Sequence, residues 1–293
     1  MRWVLKENLF LFLLLLPAMV LVGVFIYYFI GWTVRVSMTD WQGLRPSYNF
    51  VGLRNFLRLF SDYRFVVGAK NNLFVLAVFI GSVIPIGFIL ALMLDQNVRF
   101  EALFRSIFLL PMALSLIVTA TAWAWLYNPT LGINSIFQAL GLERLQSLFI
   151  ADPNRALFWV TVTAIWQFSG FAMAIYLAAL RAIPEELTEA ARIDGANFWQ
   201  ILVRITLPLV KPATVSLIVL LTHVALKIFD LVWVMTSGGP GYATDVPALY
   251  MFVTTFRQDR VAYGAAIAVV MFVFVMVIIG PYLVYNRRNE VEL

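Results

Sequence analysis

Three side chains able to ionise or pass protons fall within eight residues of one another: His223, Lys227 and Asp230, at i, i+4 and i+7. On a continuous helix that spacing makes one stripe. Charges at membrane depth usually face a bundle interior or a water-filled cavity and mark a solute path. The bland alternative is that Lys227 and Asp230 simply neutralise each other as an i, i+3 pair, with His223 a helix-contact residue. Trp166, Gln167, Asn71, Asn72 and Trp123 could supply the aromatic walls and few polar groups of a ligand pocket. Core packing, or a place in the interfacial belt, is the ordinary role of such residues.

Several chemistries are absent. With no cysteine there is no disulfide framework, thiolate nucleophile or cysteine metal site. A single histidine makes a histidine zinc site or a Ser-His-Asp triad improbable, and no H-E-x-x-H motif occurs. An intramembrane acid–base pair would have to be Lys227 and Asp230. A phosphate-cradling P-loop needs a Gly-Lys pair, and none occurs among the four lysines. Ser237–Gly241 is rich in glycine but lacks lysine, and reads as a loop fitted to a partner or as plain turn chemistry.

The elements that must position these residues are membrane helices. Of 293 residues 62% are hydrophobic and only 13% charged, and the mean hydropathy is +0.88. A soluble domain carries about a quarter charged residues, so a water-soluble globule and a disordered chain are both excluded. Crossing the hydrocarbon layer takes about 20 apolar residues in a helix. Six stretches qualify: 9–34, 71–94, 106–127, 156–180, 212–235 and 261–285. None alternates with period two, which argues against a barrel. The whole chain, 1–293, therefore reads as a single all-α transmembrane domain of six helices.

The first span exceeds the length of a signal-peptide apolar core and reads as a retained helix, kinked at Pro17, behind Arg2 and Lys6. Orientation is not set by charge, because with the N-terminus inside the segments hold ten basic residues on each side. The outer excess lies in 50–69, where Leu53, Phe56, Leu57, Phe60 and Phe65 recur near helical spacing and predict an amphipathic helix on the bilayer surface. The connection over 128–155 is modest and contains turn signals at Asn128-Pro129 and Asp152-Pro153.

The most informative segment is 181–211. Pro184 suits a helix start, with Glu185 and Glu186 favourably placed at the positive end of the helix dipole. Gly195 predicts the stop, and Asn197 can cap a second short helix reaching about Thr206, before Pro208 and Pro212. The local chemistry alone fits a solvated hairpin joining two spans equally well. The run E-A-A-R-I-D-G-A followed by I-T-L-P, however, resembles the cytoplasmic "EAA" loop of permease subunits of binding-protein-dependent ABC importers. The matching positions are Glu189, Ala190, Ala191, Asp194, Gly195, Ala196, Ile205 and Pro208, while Ile201-Leu202-Val203 is less basic than usual. W-Q-F-S-G-F from Trp166, F-L-L-P from Phe108, W-L-Y-N-P-T-L-G-I-N from Trp125 and T-S-G-G-P-G-Y-A-T from Thr236 are similar to segments of carbohydrate importers of the maltose and glycerol-phosphate type.

This resemblance implies the type I ABC importer permease fold, a multi-pass protein of a prokaryotic inner membrane, and both termini in the cytoplasm. It implies that the chain forms half of the pathway for a sugar and binds no cofactor, ATP being used by a partner ATPase. Glu189 would offer a carboxylate to the ATPase, Ala190, Ala191 and Ala196 would allow close approach, and Gly195 would make the turn. The implied partners are two ATPase subunits, a second homologous permease and an extracytoplasmic solute-binding protein. His223, Lys227, Asp230, Trp166, Gln167 and Asn72 would be the pathway candidates. The alternatives are the same machine for glycerol phosphate or a compatible solute, or an ion-coupled secondary transporter, which would leave the E-A-A loop unexplained.

Overall fold

A computed structural model describes residue 12, residues 14–96 and residues 98–289 of the chain. The described residues form helices joined by turns, with one isolated antiparallel bridge between Thr39 and Phe50. Among the described residues, four helices are long and apolar enough to cross a membrane, or up to six spans if each of two bent pairs counts as one. By internal contacts the chain divides into two compact units. One is Met1–Asp62 with Tyr250–Ile278, the other Tyr63–Leu249 with Ile279–Leu293.

In the first unit, α1 (Leu14–Ser37) buries none of its apolar window against protein, as befits a lipid-facing helix. Its backbone departs from α geometry at Gly23–Tyr28, where the turn widens to a π-helix, whereas Pro17 lies within an ordinary helical run. Arg2, Lys6 and the expected start of the span at residue 9 lie outside the described residues. The amphipathic stretch expected over 50–69 is shorter than predicted. A helix α2 (Arg54–Phe60) closes at Ser61 and Asp62, and from Tyr63 the chain already belongs to the next span.

The second unit is built around α3 (Tyr63–Leu94), α4 (Glu101–Ala113), α5 (Leu116–Leu126), the short α6 (Ile133–Ala139) and α7 (Ala156–Arg181). At 1.5 Å per residue, the 32 residues of α3 extend roughly 48 Å, well beyond a hydrocarbon layer of about 30 Å. α7 lies centrally, packed on α3 and α4. Its buried face carries small residues (Ala156, Ala164, Gly170 and Ala172 among them) that let helix backbones approach closely, which lipid-embedded packing favours. A Cβ at Gly170 would fall on the Phe108 carbonyl of α4, so only glycine fits that crossing. Two of its buried hydroxyls are satisfied within the helix itself: Thr161 donates to Leu157 O at 2.7 Å and Ser169 to Ile165 O at 2.6 Å.

Two expected spans are not single rods. The span read over 106–127 bends by 97° between α4 and α5. Pro111 removes a donor from the last turn of α4, Leu114 swings to ψ 144°, and Ser115 restarts the helix by accepting from Val118 N at 3.3 Å. The span read over 212–235 is α10 (Lys211–Leu226), a break, and then α11 (Asp230–Thr236). The chain continues through α12 (Pro247–Phe252) to α13 (Val261–Asn289).

Gly170→Leu should prevent α4 and α7 from packing, at a cost of about 1–3 kcal/mol or more. Thermal unfolding in detergent should show a clear fall in midpoint, while the same substitution at Gly31, where a Cβ meets nothing within 4 Å, leaves it unchanged.

Candidate functional site

The hairpin at 181–211 is assembled from cap chemistry. Pro184, at ψ 129°, enters α8 (Glu185–Ile193), whose first turn is acidic and whose last turn holds Arg192. The exit is a Schellman turn: Gly195 N donates to Arg192 O at 3.0 Å and Ala196 N to Ala191 O at 2.9 Å. Gly195 sits at φ +83°, the left-handed conformation that favours glycine. Asn197 then opens α9 (Phe198–Leu209) with a full capping box, exchanging bonds of 2.8 and 2.9 Å with Gln200. The A-R-I-D-G-A run is thus, locally, the exit of one helix, and the asparagine after it the entry of the next.

The second helix runs farther than Thr206, through Pro208, before bending by 60° into α10. Pro208 is accommodated because the preceding turn, Leu202–Thr206, is widened: Leu207 N reaches back five residues to Leu202 O. Glu189, Ala190, Asp194, Gly195 and Pro208 are exposed, with Ala191 and Ala196 half-buried. Exposed apolar side chains surround them, Ile193 at 86% and Trp199 at 69%.

Beneath the hairpin lies an open cleft of about 930 Å³, lined by Asp95, Gln96, Glu101, Arg181, Glu189 and Arg192 among others. Arg181, at the end of α7, pairs with Glu101 at 2.8 Å and Asp95 at 3.8 Å. Partial burial raises the Asp95 carboxyl above its ordinary range, and the Arg181 charge opposes the rise. One guanidinium therefore joins the ends of three spans.

At membrane depth the expected stripe is interrupted. Lys227 follows the last residue of α10 and Asp230 is the first of α11, so with His223 they do not share one continuous helix. Each charge instead stands at the helix end it stabilises, cation at a C-terminus and carboxylate at an N-terminus. No ion pair joins the two among the described residues. Both line a small cavity of about 40 Å³ with Phe79, Phe168 and Leu116, while His223 is exposed outside it.

Gln167 and Asn72 bond to the two breaks. Gln167, 3% exposed, donates its amide to Leu114 O at 3.0 Å, the carbonyl displaced at the α4–α5 bend. Asn72, 6% exposed, donates to Ala225 O at 2.9 Å, in the last turn of α10. Trp166 meets Trp123 edge to face at 5.4 Å, and Trp123 in turn meets Tyr127 at 5.2 Å, forming an aromatic cluster.

One assembly had no local signal. Arg64 pairs with the fully buried Asp245, its guanidinium 5.1 Å from the Tyr242 ring. Asn71 donates to Tyr242 O at 3.1 Å and Asp245 O at 2.9 Å. Together they hold the Gly-Gly-Pro loop, which Thr236 and Thr244 close with a 2.7 Å hydroxyl bond. Burial raises the Asp245 carboxyl against the opposing pull of Arg64. Since 181 residues separate the partners, spacing could not reveal them.

Two expected outcomes follow for stability. Gln167→Leu takes the amide donor from Leu114 O and should cost about 1–3 kcal/mol, while Asn72→Leu should cost less, since Ala225 O keeps Ile228 N at 3.4 Å; both are read as lowered unfolding midpoints in detergent. Arg64→Gln strands a buried carboxylate and should cost about 3–5 kcal/mol, and the added change Asp245→Asn should recover part of the loss.

Comparison with known proteins agrees with this architecture. A probable ABC transporter permease of Pyrococcus horikoshii is 44% identical over 96% of this chain and 97% of its own length. The xylose/arabinose import permease XacH of Haloferax volcanii is 37% identical over 92% and 86%. Among solved structures, a chain of a bacterial alginate ABC transporter, crystallised with its alginate pentasaccharide-bound periplasmic protein, superposes with a TM-score of 0.84 at 25% identity, covering 97% of this chain and 96% of that one. Residues 83–290 match the family described as the binding-protein-dependent transport system inner membrane component. With bent spans, capped hairpin and this match over most of its length, the chain belongs to that family of multi-pass inner-membrane transport subunits.

Proposed function

We propose that the chain is one of two permease subunits of an ABC importer for a carbohydrate, and that it forms half of the transmembrane path. The observation that carries the reading is the hairpin: a rigidly capped pair of short helices whose exposed tip presents Glu189, Ala190, Asp194 and Gly195 beside Ile193 and Trp199. A tip that is at once rigid, charged and apolar suits docking into a partner better than solvation. The partner proposed is a separate ATPase subunit, which binds and uses the ATP. Its closure would push the hairpin and rock the attached spans between inward- and outward-open states. The termini and the hairpin are then cytoplasmic, and the Gly-Gly-Pro loop faces a solute-binding protein outside.

A sugar is favoured because XacH is named for xylose and arabinose and the alginate transporter for a polysaccharide. On this reading Lys227, Asp230 and Trp166 line the path. Gln167 and Asn72 hold the helix breaks that shape it, and His223 lies outside the small cavity that Lys227 and Asp230 share.

Purification from native membranes should recover an ATPase, a second permease and a solute-binding protein. Gly195→Pro cannot adopt φ +83°, and Glu189→Lys reverses the exposed charge. Both should lower transport at least about tenfold, the effect of losing roughly 1.4 kcal/mol of coupling, with membrane levels near normal. Equal loss of both variants from the membrane, or purification with no ATPase in several detergents, would sink the proposal.

A further inference from the structure

In the unit formed by Met1–Asp62 and Tyr250–Ile278, a cleft of about 180 Å³ opens beside α2. Arg54, Arg58 and Arg260 line it with Thr39, Asp40, Asn55 and Tyr263 among others. The cleft is a built feature. Asn55 donates both amide hydrogens to backbone, to Ser37 O and Thr39 O at 2.8 Å each, which fixes α2 against the loop that follows α1. That loop is tied to the segment before α13, with Gly43 N on Asp259 O at 2.7 Å and Ala262 N on Trp41 O at 3.1 Å.

Tyr263 forms the floor. It is 3% exposed, and its hydroxyl donates to Asp62 at 2.9 Å, beside the hydroxyl of Tyr250 at 2.7 Å. With the ring so held, two guanidiniums gather over it, Arg260 at 4.6 Å and Arg58 at 5.8 Å from its centroid. The ring offers each a cation–π contact, but it does not cancel the repulsion between them. Among the described residues no carboxylate lies within 4 Å of Arg54, Arg58 or Arg260. The one carboxylate lining the cleft, Asp40, accepts from Ser47 at 2.6 Å and Asn49 at 3.2 Å, on its own loop. Three cations thus share a concave site with one acid that is already engaged, and the charge calls for an anion.

The surroundings say which anion. On α2 and immediately before it, Leu53, Leu57 and Phe60 are 60%, 71% and 62% exposed, and they alternate with Arg54 and Arg58. A short helix that shows apolar side chains and arginines together lies at the depth of lipid headgroups. Arginine is also the side chain best shaped to hold a phosphate through paired donors. We propose that the Arg54–Arg58–Arg260 cleft binds the phosphate of an anionic lipid headgroup, anchoring this unit in the bilayer independently of the transport path.

The test uses the purified full-length chain, with any subunits that accompany it, in neutral detergent. Short-chain phosphatidylglycerol is the probe, with phosphatidylcholine of the same chain length and inorganic phosphate as comparators, and binding is read by native mass spectrometry and by thermal shift. Phosphatidylglycerol should bind saturably. The double variant Arg58→Gln/Arg260→Gln should weaken that binding about thirtyfold, on the typical worth of two arginines at an anionic surface. Tyr263→Phe keeps the ring and should change it less than about threefold, since the cation–π contacts remain. If the double variant aggregates, Arg58→Gln alone, at an exposed position, should weaken binding about fivefold. Unchanged binding in a folded arginine variant would overturn the proposal, as would equally tight phosphatidylcholine. Displacement by inorganic phosphate at matched concentration would make the ligand a free anion and remove the lipid.

Discussion

Everything in the second unit depends on how two interrupted spans keep their backbones hydrogen-bonded where water is scarce. A helix crossing lipid satisfies itself, but a helix that bends releases carbonyls that must find donors elsewhere. Gln167 meets that need by reaching from α7 to Leu114 O, and Asn72, reaching from α3, adds a second donor to Ala225 O beside the break between α10 and α11, where Ile228 N already donates. The bends are therefore fixed features of the bundle. Ser115 caps one restart, and the charges of Lys227 and Asp230 settle the helix ends at the other.

Sequence and structure agree best where the physics is local. The hairpin could be read in advance because each of its determinants acts within five residues: Pro184 at the entry, Gly195 in the left-handed turn, Asn197 reaching Gln200. Four of the long apolar runs are likewise continuous helices over their described residues. The bends were harder to see. Hydropathy does not register a break when both halves are apolar, so 106–127 and 212–235 read as rods, and the His223–Lys227–Asp230 stripe was drawn on a helix that ends at Leu226. Pro208 misled in the opposite direction, since a widened turn carried the helix past it. Gln167 and Asn72 were noticed for their polarity, but their acceptors lie 53 and 153 residues away and no spacing rule connects them.

Charge is used sparingly and mostly at helix ends. Arg181 gathers Asp95 and Glu101 where three spans finish, and Arg64 neutralises Asp245 under the Gly-Gly-Pro loop. Both arginines pair with acids from distant segments, so each ties the packing of one span to another. The long α3 places one member of each pair, Arg64 near its first residue and Asp95 just past its last.

The bond from Gln167 to Leu114 also has a consequence for biogenesis. A ribosome makes the chain from the N-terminus, so the α4–α5 bend is synthesised 53 residues before its donor. Asn72 has the reverse history, entering the bilayer as a polar side chain 153 residues before its acceptor exists. During that interval each group must be served by water, by the insertion machinery or by a temporary protein partner. The nascent protein thus passes through a stage in which the α4–α5 bend is made but its donor is not, while the Asn72 amide is made but its acceptor is not.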